Sequence, residues 1–282
     1  MKNILQTIGN TPMIKLKSGL LVKLEGQNPG GSIKDRAALY MIEEAEKRGE
    51  VKEGKIILEA TSGNMGISLA MIGEQKGYKV CIVMSEAMSE ERKTVIKALG
   101  AELVLTDGSL GTRGAIEKAK EMAKDSLFWF SDQFNNKDNP LAYYHTLAVE
   151  ILKEVPLIEV FVAGTGTSGT IMGVAKRLKE ESPQTKIVAV TPPKGYKIQG
   201  MQNPEEDFIG DVFEKDLIDE YFHVSKEEAY FTAKEVARRE GLFVGMSSGA
   251  NIFAASKMSG NNVVTLMPDR GEKYLSTELF SK

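Results

Sequence analysis

The stretch Asn28-Pro29-Gly30-Gly31-Ser32-Ile33-Lys34-Asp35-Arg36 carries a residue that could do chemistry. Two glycines lead into Ser32, a good N-cap residue, and a helical pattern follows. Ala38, Ile42 and Ala45 recur at helical spacing, Lys47 and Arg48 fall in the last turn, and Gly49 ends the run. Lys34 is out of place there. It sits in the first turn, where the helix dipole and unpaired N–H groups disfavour a cation. An amine so placed has a reason to shed its proton, which a nucleophilic lysine must do. Taken alone, the stretch also reads as a solvated lysine near a helix start.

A second stretch, Gly164-Thr165-Gly166-Thr167-Ser168-Gly169-Thr170, follows an apolar strand and opens a helix. Backbone N–H groups at a helix N-terminus make an anion site, and the hydroxyls add donors. Formally it contains G-x-G-x-x-G, from Gly164 to Gly169. A dinucleotide site of that kind needs an acidic residue about 20 residues on, at the end of the next strand. That strand ends Val190-Thr191-Pro192-Pro193, with no acid. A P-loop needs a closing Gly-Lys-Ser/Thr, which is absent. A single phosphate on a small cofactor fits better.

Thr61-Ser62-Gly63-Asn64 is another strand-to-helix turn, whose hydroxyls, amide and N–H groups could hold a carboxylate or a ring oxygen, or simply cap a helix. Gly245-Met246-Ser247-Ser248-Gly249 is a third, with a serine as N-cap or as a hydrogen-bond partner for a cofactor. His145 and His223 are the two histidines, far apart, and read as structural residues; no metal constellation and no G-x-S-x-G elbow stand out. An activated lysine, a phosphate cradle and two further loops are what a phosphate-bearing aldehyde that condenses with lysine, pyridoxal 5′-phosphate, requires.

The elements that must position these residues alternate. Strand-like Met13–Leu16, Leu20–Leu24, Ile56–Glu59, Lys79–Met84, Glu102–Leu105, Leu127–Phe130, Glu159–Ala163, Lys186–Thr191 and Val263–Met267 are separated by helical patterns, among them Pro140–Glu154 and Lys226–Glu240. This predicts an α/β fold with mostly parallel sheets. Pro192–Phe213 has no period and is read as a functional or mobile loop.

The chain has 282 residues, 42% of them hydrophobic, enough for one large domain or two lobes. Net charge is −3 with no basic block, which points away from nucleic acid and acidic membranes. The single cysteine, Cys81, lies in an apolar run and reads as a buried strand residue; a reducing compartment fits. The N-terminus lacks the apolar core of a signal peptide, and no apolar run is long enough to span a bilayer, so a cytoplasmic location is expected.

From end to end the chain resembles the cysteine synthases, or O-acetylserine sulfhydrylases, pyridoxal-phosphate enzymes of the tryptophan-synthase-β-like fold (fold type II). The resemblance rests on Thr7-Ile8-Gly9-Asn10-Thr11-Pro12, Lys23-Leu24-Glu25, Asn28–Arg36, Thr61–Gly66, Asp132-Gln133-Phe134-Asn135-Asn136, Gly164–Thr170 and Ser247-Ser248-Gly249. Leu24–Asn28, Glu59-Ala60-Thr61 and Asp269-Arg270-Gly271-Glu272-Lys273-Tyr274-Leu275-Ser276-Thr277 are similar to the cysteine synthase B branch. The resemblance implies two α/β lobes with the cofactor between them. Residues 1–34 and 149–282 would form the larger, and 35–148 the smaller, mobile one. It also implies a homodimer, with serine acetyltransferase as a candidate partner.

By the same resemblance Lys34 would carry the cofactor and Asn64 would bond its ring oxygen. Gly166, Thr167, Ser168, Gly169 and Thr170 would cradle the phosphate, and Ser247 would face the pyridine nitrogen. Thr61, Ser62 and Gln133 would hold the substrate carboxylate. The implied reaction is β-replacement with ping-pong kinetics: O-acetylserine and sulfide give cysteine and acetate. Three departures from the family pattern stand out. Met65 stands for a threonine and Ser168 for a glycine or threonine. Gln202 and Asn203 stand where thiosulfate-using relatives carry two arginines, followed by acidic Glu205-Glu206-Asp207. Sulfide rather than thiosulfate is therefore expected as nucleophile. An acid in this loop, Asp207 or Asp211, could instead serve a second chemistry, release of sulfide from cysteine. A binding module that keeps the fold without catalysis is the remaining alternative, and the retained Lys34 argues against it.

Overall fold

The computed structural model describes residues 1–61, 63–206 and 210–280. The chain opens with a short hairpin, β1 (Met13–Lys15) and β2 (Leu21–Lys23), and then enters α1 (Lys34–Lys47). Next come β3 (Ile56–Ala60), α2 (Asn64–Lys76), β4 (Lys79–Ser85), α3 (Glu90–Ala98), β5 (Glu102–Thr106), α4 (Gly111–Met122) and β6 (Phe128–Phe130). Helices α5 (Asp138–His145) and α6 (Leu147–Glu154) lead to β7 (Val160–Gly164), α7 (Gly169–Glu181), β8 (Lys186–Thr191) and β9 (Glu220–His223). Then follow α8 (Lys226–Glu240), α9 (Met246–Ala255) and β10 (Val263–Leu266).

The strands form two sheets, ordered β1-β2-β10-β7-β8-β9 and β5-β4-β3-β6. Only β1 and β2 pair antiparallel among the described strands. A parallel sheet needs a crossover between neighbouring strands, and the helices supply it. Strands buried on both faces then read as continuous apolar runs. In β4, Val80 through Ser85 are all buried, with Cys81 among them. Burial pushes the Cys81 thiol up to about 11, so it packs as a small hydrophobe.

Two departures from the sequence reading have local causes. The single helix expected over Pro140–Glu154 is two, broken at Thr146 (φ −121°, ψ −74°). The Thr146 hydroxyl donates to the Ala142 carbonyl at 2.6 Å, a back-bond that bends helices. Strand β9 has no counterpart among the expected strands. It is a four-residue strand at the sheet edge with half-exposed residues, so it shows no apolar run.

The entry into α1 is fixed by a buried ion network. Arg36 donates from Nε to Glu25 Oε2 at 2.7 Å and from Nη1 to Glu150 Oε1 at 2.6 Å. Lys23, fully buried, lies 2.7 Å from Glu154 and 3.1 Å from Glu150. Buried charges persist only when paired and hydrogen-bonded in this way. The network ties the hairpin, α1 and α6 together two residues from Lys34.

Candidate active site

The C-terminal ends of β3 and β7 open onto one cavity of about 1230 Å³. Lys34, Thr61, Asn64, Gln133, Gly166, Thr167, Ser168, Thr170 and Ser247 all line it, so residues up to about 200 positions apart meet at one place. Parallel α/β sheets offer their ligand sites at this end.

Lys34 is the first residue of α1. Ser32 Oγ accepts from its backbone N–H at 3.3 Å, one position before the N-cap, Ile33. Its Nζ donates to Thr167 Oγ1 at 3.0 Å. Burial lowers the amine from 10.5 to about 8, and the Glu59 carboxylate works against that shift. A neutral, nucleophilic amine is thus reachable near physiological pH.

The second loop leaves β7 and becomes α7. Ser168 is its N-cap and stands in the left-handed region at φ +66°, a place that favours glycine. Gly166 and Gly169 have no room for side chains. A Cβ on the first would come 2.7 Å from the Gly200 carbonyl, and on the second 2.2 Å from the Asn139 amide. The first-turn N–H groups of α7 have no intrahelical acceptors. Thr167, Ser168 and Thr170 at that helix end line the cavity, whereas Gly169 does not. Asn139 donates from Nδ2 to Thr167 Oγ1 at 3.3 Å, while its buried Oδ1 has no partner.

The third loop follows β3. Thr61 Oγ1 accepts from Gly63 N at 3.2 Å. Gly63 stands at φ +157°, and a Cβ there would also meet Arg92 Cδ at 2.4 Å, which favours glycine. Ser62 lies outside the described residues. Asn64 opens α2, donating from Nδ2 to Asp269 Oδ2 at 2.7 Å and accepting at Oδ1 from Lys273 Nζ at 2.8 Å. Ser247 occupies the second position of α9; the N-cap is Gly245 rather than a serine.

Beneath these loops lies Glu59, an acid in an otherwise apolar strand. Ser131 Oγ and Gln133 N donate to its Oε2 at 2.5 and 3.2 Å, and Gln133 Nε2 lies 3.4 Å from Oε1. Burial pushes its carboxyl up to about 7, against the hydrogen bonds from Ser131 and Gln133. Sequence reasoning missed Glu59, although an acid within Ile56-Ile57-Leu58-Glu59-Ala60 is itself a signal. It also missed Asn139 and Arg92.

The late-loop acids fare differently. Asp207 lies outside the described residues. Asp211 is exposed and does not line the cavity; its N–H donates to Asn135 Oδ1 at 3.1 Å. Gly210 runs hard against the Phe134 backbone, and the next inward place goes to Val212, so Asp211 turns out. Among the described residues, Glu206 is the acid of this loop on the cavity wall, accepting from Gly195 N at 2.7 Å. Neither histidine belongs to the site. His145 packs against Tyr40 and Tyr144, and His223 shares a 2.8 Å hydrogen bond with Thr191.

A buried lysine, a helix N-terminus with three hydroxyl-bearing residues on the wall, and an amide at a second helix start share one cavity. This donor set fits a phosphate-bearing carbonyl cofactor and defines an enzyme of small-molecule chemistry. The comparison with known proteins agrees: the chain belongs to the family of pyridoxal-phosphate-dependent enzymes, whose family model matches residues 4–269. It is 44% identical to cysteine synthase B of Escherichia coli K12, over all of this chain and 97% of that one. Among solved structures, O-acetyl serine sulfhydrylase isoform 3 of Entamoeba histolytica superposes with TM-score 0.92 at 39% identity, covering 100% of this chain and 92% of that one. A hydrogen sulfide-producing enzyme of Fusobacterium nucleatum does so with TM-score 0.92 at 42% identity, covering 98% and 100%. The fold is thus the two-sheet pyridoxal-phosphate fold that the sequence implied.

Proposed function

We infer that the chain is a pyridoxal-phosphate-dependent cysteine synthase, converting O-acetylserine and sulfide into cysteine and acetate. The observation that carries this reading is the meeting of Lys34 Nζ with Thr167 in the hydroxyl-rich loop at the start of α7. Full-length likeness to cysteine synthases supports the substrate pair.

When bound, pyridoxal phosphate supplies an aldehyde for amines and a ring that takes up negative charge from the substrate Cα. Lys34 would hold that aldehyde and Gly166 to Thr170 the phosphate. Asn64 would face the ring oxygen and Ser247 the ring nitrogen. A serine there is a weaker proton source than a carboxylate, which favours departure of a group from Cβ. Thr61, Ser62 and Gln133 would hold the substrate carboxylate, with Glu59 fixing the Gln133 side chain from behind. Once the substrate amine takes its place on the aldehyde, the freed Lys34 amine would take the proton from the substrate Cα and later return it. Acetate leaves Cβ, and sulfide forms its bond at the same carbon. The helix start at α7 would keep the phosphate in place during both halves.

The purified protein should make cysteine from O-acetylserine and sulfide, and Lys34→Ala should not. Substantial β-replacement by that variant contradicts the assignment. Likeness to a hydrogen sulfide-producing enzyme favours one second reading, sulfide release from cysteine. Sulfide formed from cysteine alone, faster than cysteine is made, selects it. The family resemblance also supports a homodimer, which light scattering tests.

A further inference from the structure

The segment after β10, Pro268 to Tyr274, reaches three of the loops around the site. The Pro268 carbonyl accepts from Ile33 N at 2.8 Å, and Asp269 forms a bridge with Ser32, so the segment grips the approach to Lys34. The Asp269 carbonyl accepts from Gly245 N at 3.3 Å, which reaches the loop before Ser247. The loop after β3 is gripped by side chains. Asp269 Oδ2 accepts from Asn64 Nδ2 at 2.7 Å and from the Tyr274 hydroxyl at 2.6 Å. Lys273 Nζ donates to Asn64 Oδ1 at 2.8 Å and to the Gly30 carbonyl at 3.2 Å.

A carboxamide has nearly the same shape when turned over, and only its partners decide which end is oxygen. Here the partners leave no choice. An ammonium has only hydrogens to give, and a carboxylate only lone pairs. Asn64 must turn its oxygen to Lys273 and its nitrogen to Asp269. One of the two hydrogens on Nδ2 is spent on Asp269, and the other remains for the cavity. Both partners are held in turn: Asp269 is 1% exposed and pinned by Tyr274, and Lys273 is anchored on Gly30. Charge-assisted bonds of this kind are about twice as strong as neutral ones.

We propose that Lys273 and Asp269 are positioning residues that lock the Asn64 carboxamide so that it presents an N–H, and not its oxygen, to the cofactor ring oxygen. Neither residue lines the cavity; they act through Asn64. The inference rests on the function proposed above. The motif Asp269-Arg270-Gly271-Glu272-Lys273-Tyr274 is then a strut that keeps three loops in register.

The test compares holoenzymes by visible absorbance and by the dissociation constant for pyridoxal phosphate. Lys273→Met should weaken cofactor binding about tenfold, the loss expected for a hydrogen bond to a charged group. It should also move the absorbance in the direction that Asn64→Ala does. Lys273→Arg, which keeps the charge and the donors, should stay near the wild type. In an Asn64→Ala background, Lys273→Met should change neither quantity further. Asp269→Asn offers Asn64 an amide that can face either way, and provides a second route should Lys273→Met not fold. It too should shift the absorbance. Wild-type absorbance and affinity in Lys273→Met, or in Asp269→Asn, overturn the proposal. So does a full additional loss from Lys273→Met in the Asn64→Ala background. A wild-type protein that takes up no pyridoxal phosphate refutes the function itself, before any variant is compared.

Discussion

Replacing Lys34 by methionine should make the cofactor-free protein more stable. The structure holds the Lys34 amine at about 8, against 10.5 for an ordinary lysine, chiefly because burial penalises its charge. At 1.36 kcal/mol per pH unit, that gap costs the folded state up to about 3 kcal/mol at neutral pH. The sign follows from proton binding. Between about pH 8 and 10.5 the unfolded chain keeps a proton on Lys34 that the folded chain has released, so stability rises with pH there. Below 8 the penalty is complete; above 10.5 it vanishes. Methionine has a similar length and no charge to desolvate. Urea denaturation of both cofactor-free proteins should show Lys34→Met ahead by about 3 kcal/mol at about pH 7. The lead should shrink to roughly 1.4 kcal/mol at about pH 9.5. A lead that is absent near neutral pH, or that stays constant into that alkaline range, refutes the reasoning. Functional residues commonly carry such a cost.

Further outcomes follow from the same geometry. Ser168→Gly removes a side chain from the left-handed region and should stabilise the cofactor-free protein by about 1 kcal/mol in thermal or urea unfolding. Glu59→Gln should match the wild type in stability at about pH 4 and gain on it as the pH rises from 4.5 through about 7. Over that range the unfolded Glu59 loses its proton before the folded one does, and the gain should reach about 3 kcal/mol at about pH 8 by urea titration. Gln202 lines the cavity where thiosulfate-using relatives are expected to carry arginine. Steady-state rates should therefore be higher with sulfide than with thiosulfate, and equal rates contradict this.

Much of this site was legible because the signals are local. A strand, a short run of glycines and hydroxyls, and a helix are adjacent in sequence, so the α7 and α2 loops could be read from composition alone. Strands β3, β4 and β8 begin at the expected residues, Ile56, Lys79 and Lys186, for the same reason: strands buried on both faces show as apolar runs without polar alternation. What the sequence hid is set by distant partners. Glu59 looks like a stray acid until Gln133, 74 residues on, is seen against it. Asn64 and Lys273 are 209 residues apart, and nothing near either announces the pair. Asp211 was a fair candidate by residue type, but Gly210 packing on Phe134 turns it to solvent. The break at Thr146 depends on one hydroxyl choosing a carbonyl over water, and β9 on an edge position that asks little of its residues.

The central claim is that Lys34 holds pyridoxal phosphate. Borohydride reduction of the purified holoenzyme fixes a lysine-bound cofactor permanently, and mass spectrometry of its peptides then locates it. The account predicts one pyridoxyl group on the peptide containing Ser32-Ile33-Lys34-Asp35. A label on another lysine, such as Lys273, or none at all in protein supplied with the cofactor, contradicts it.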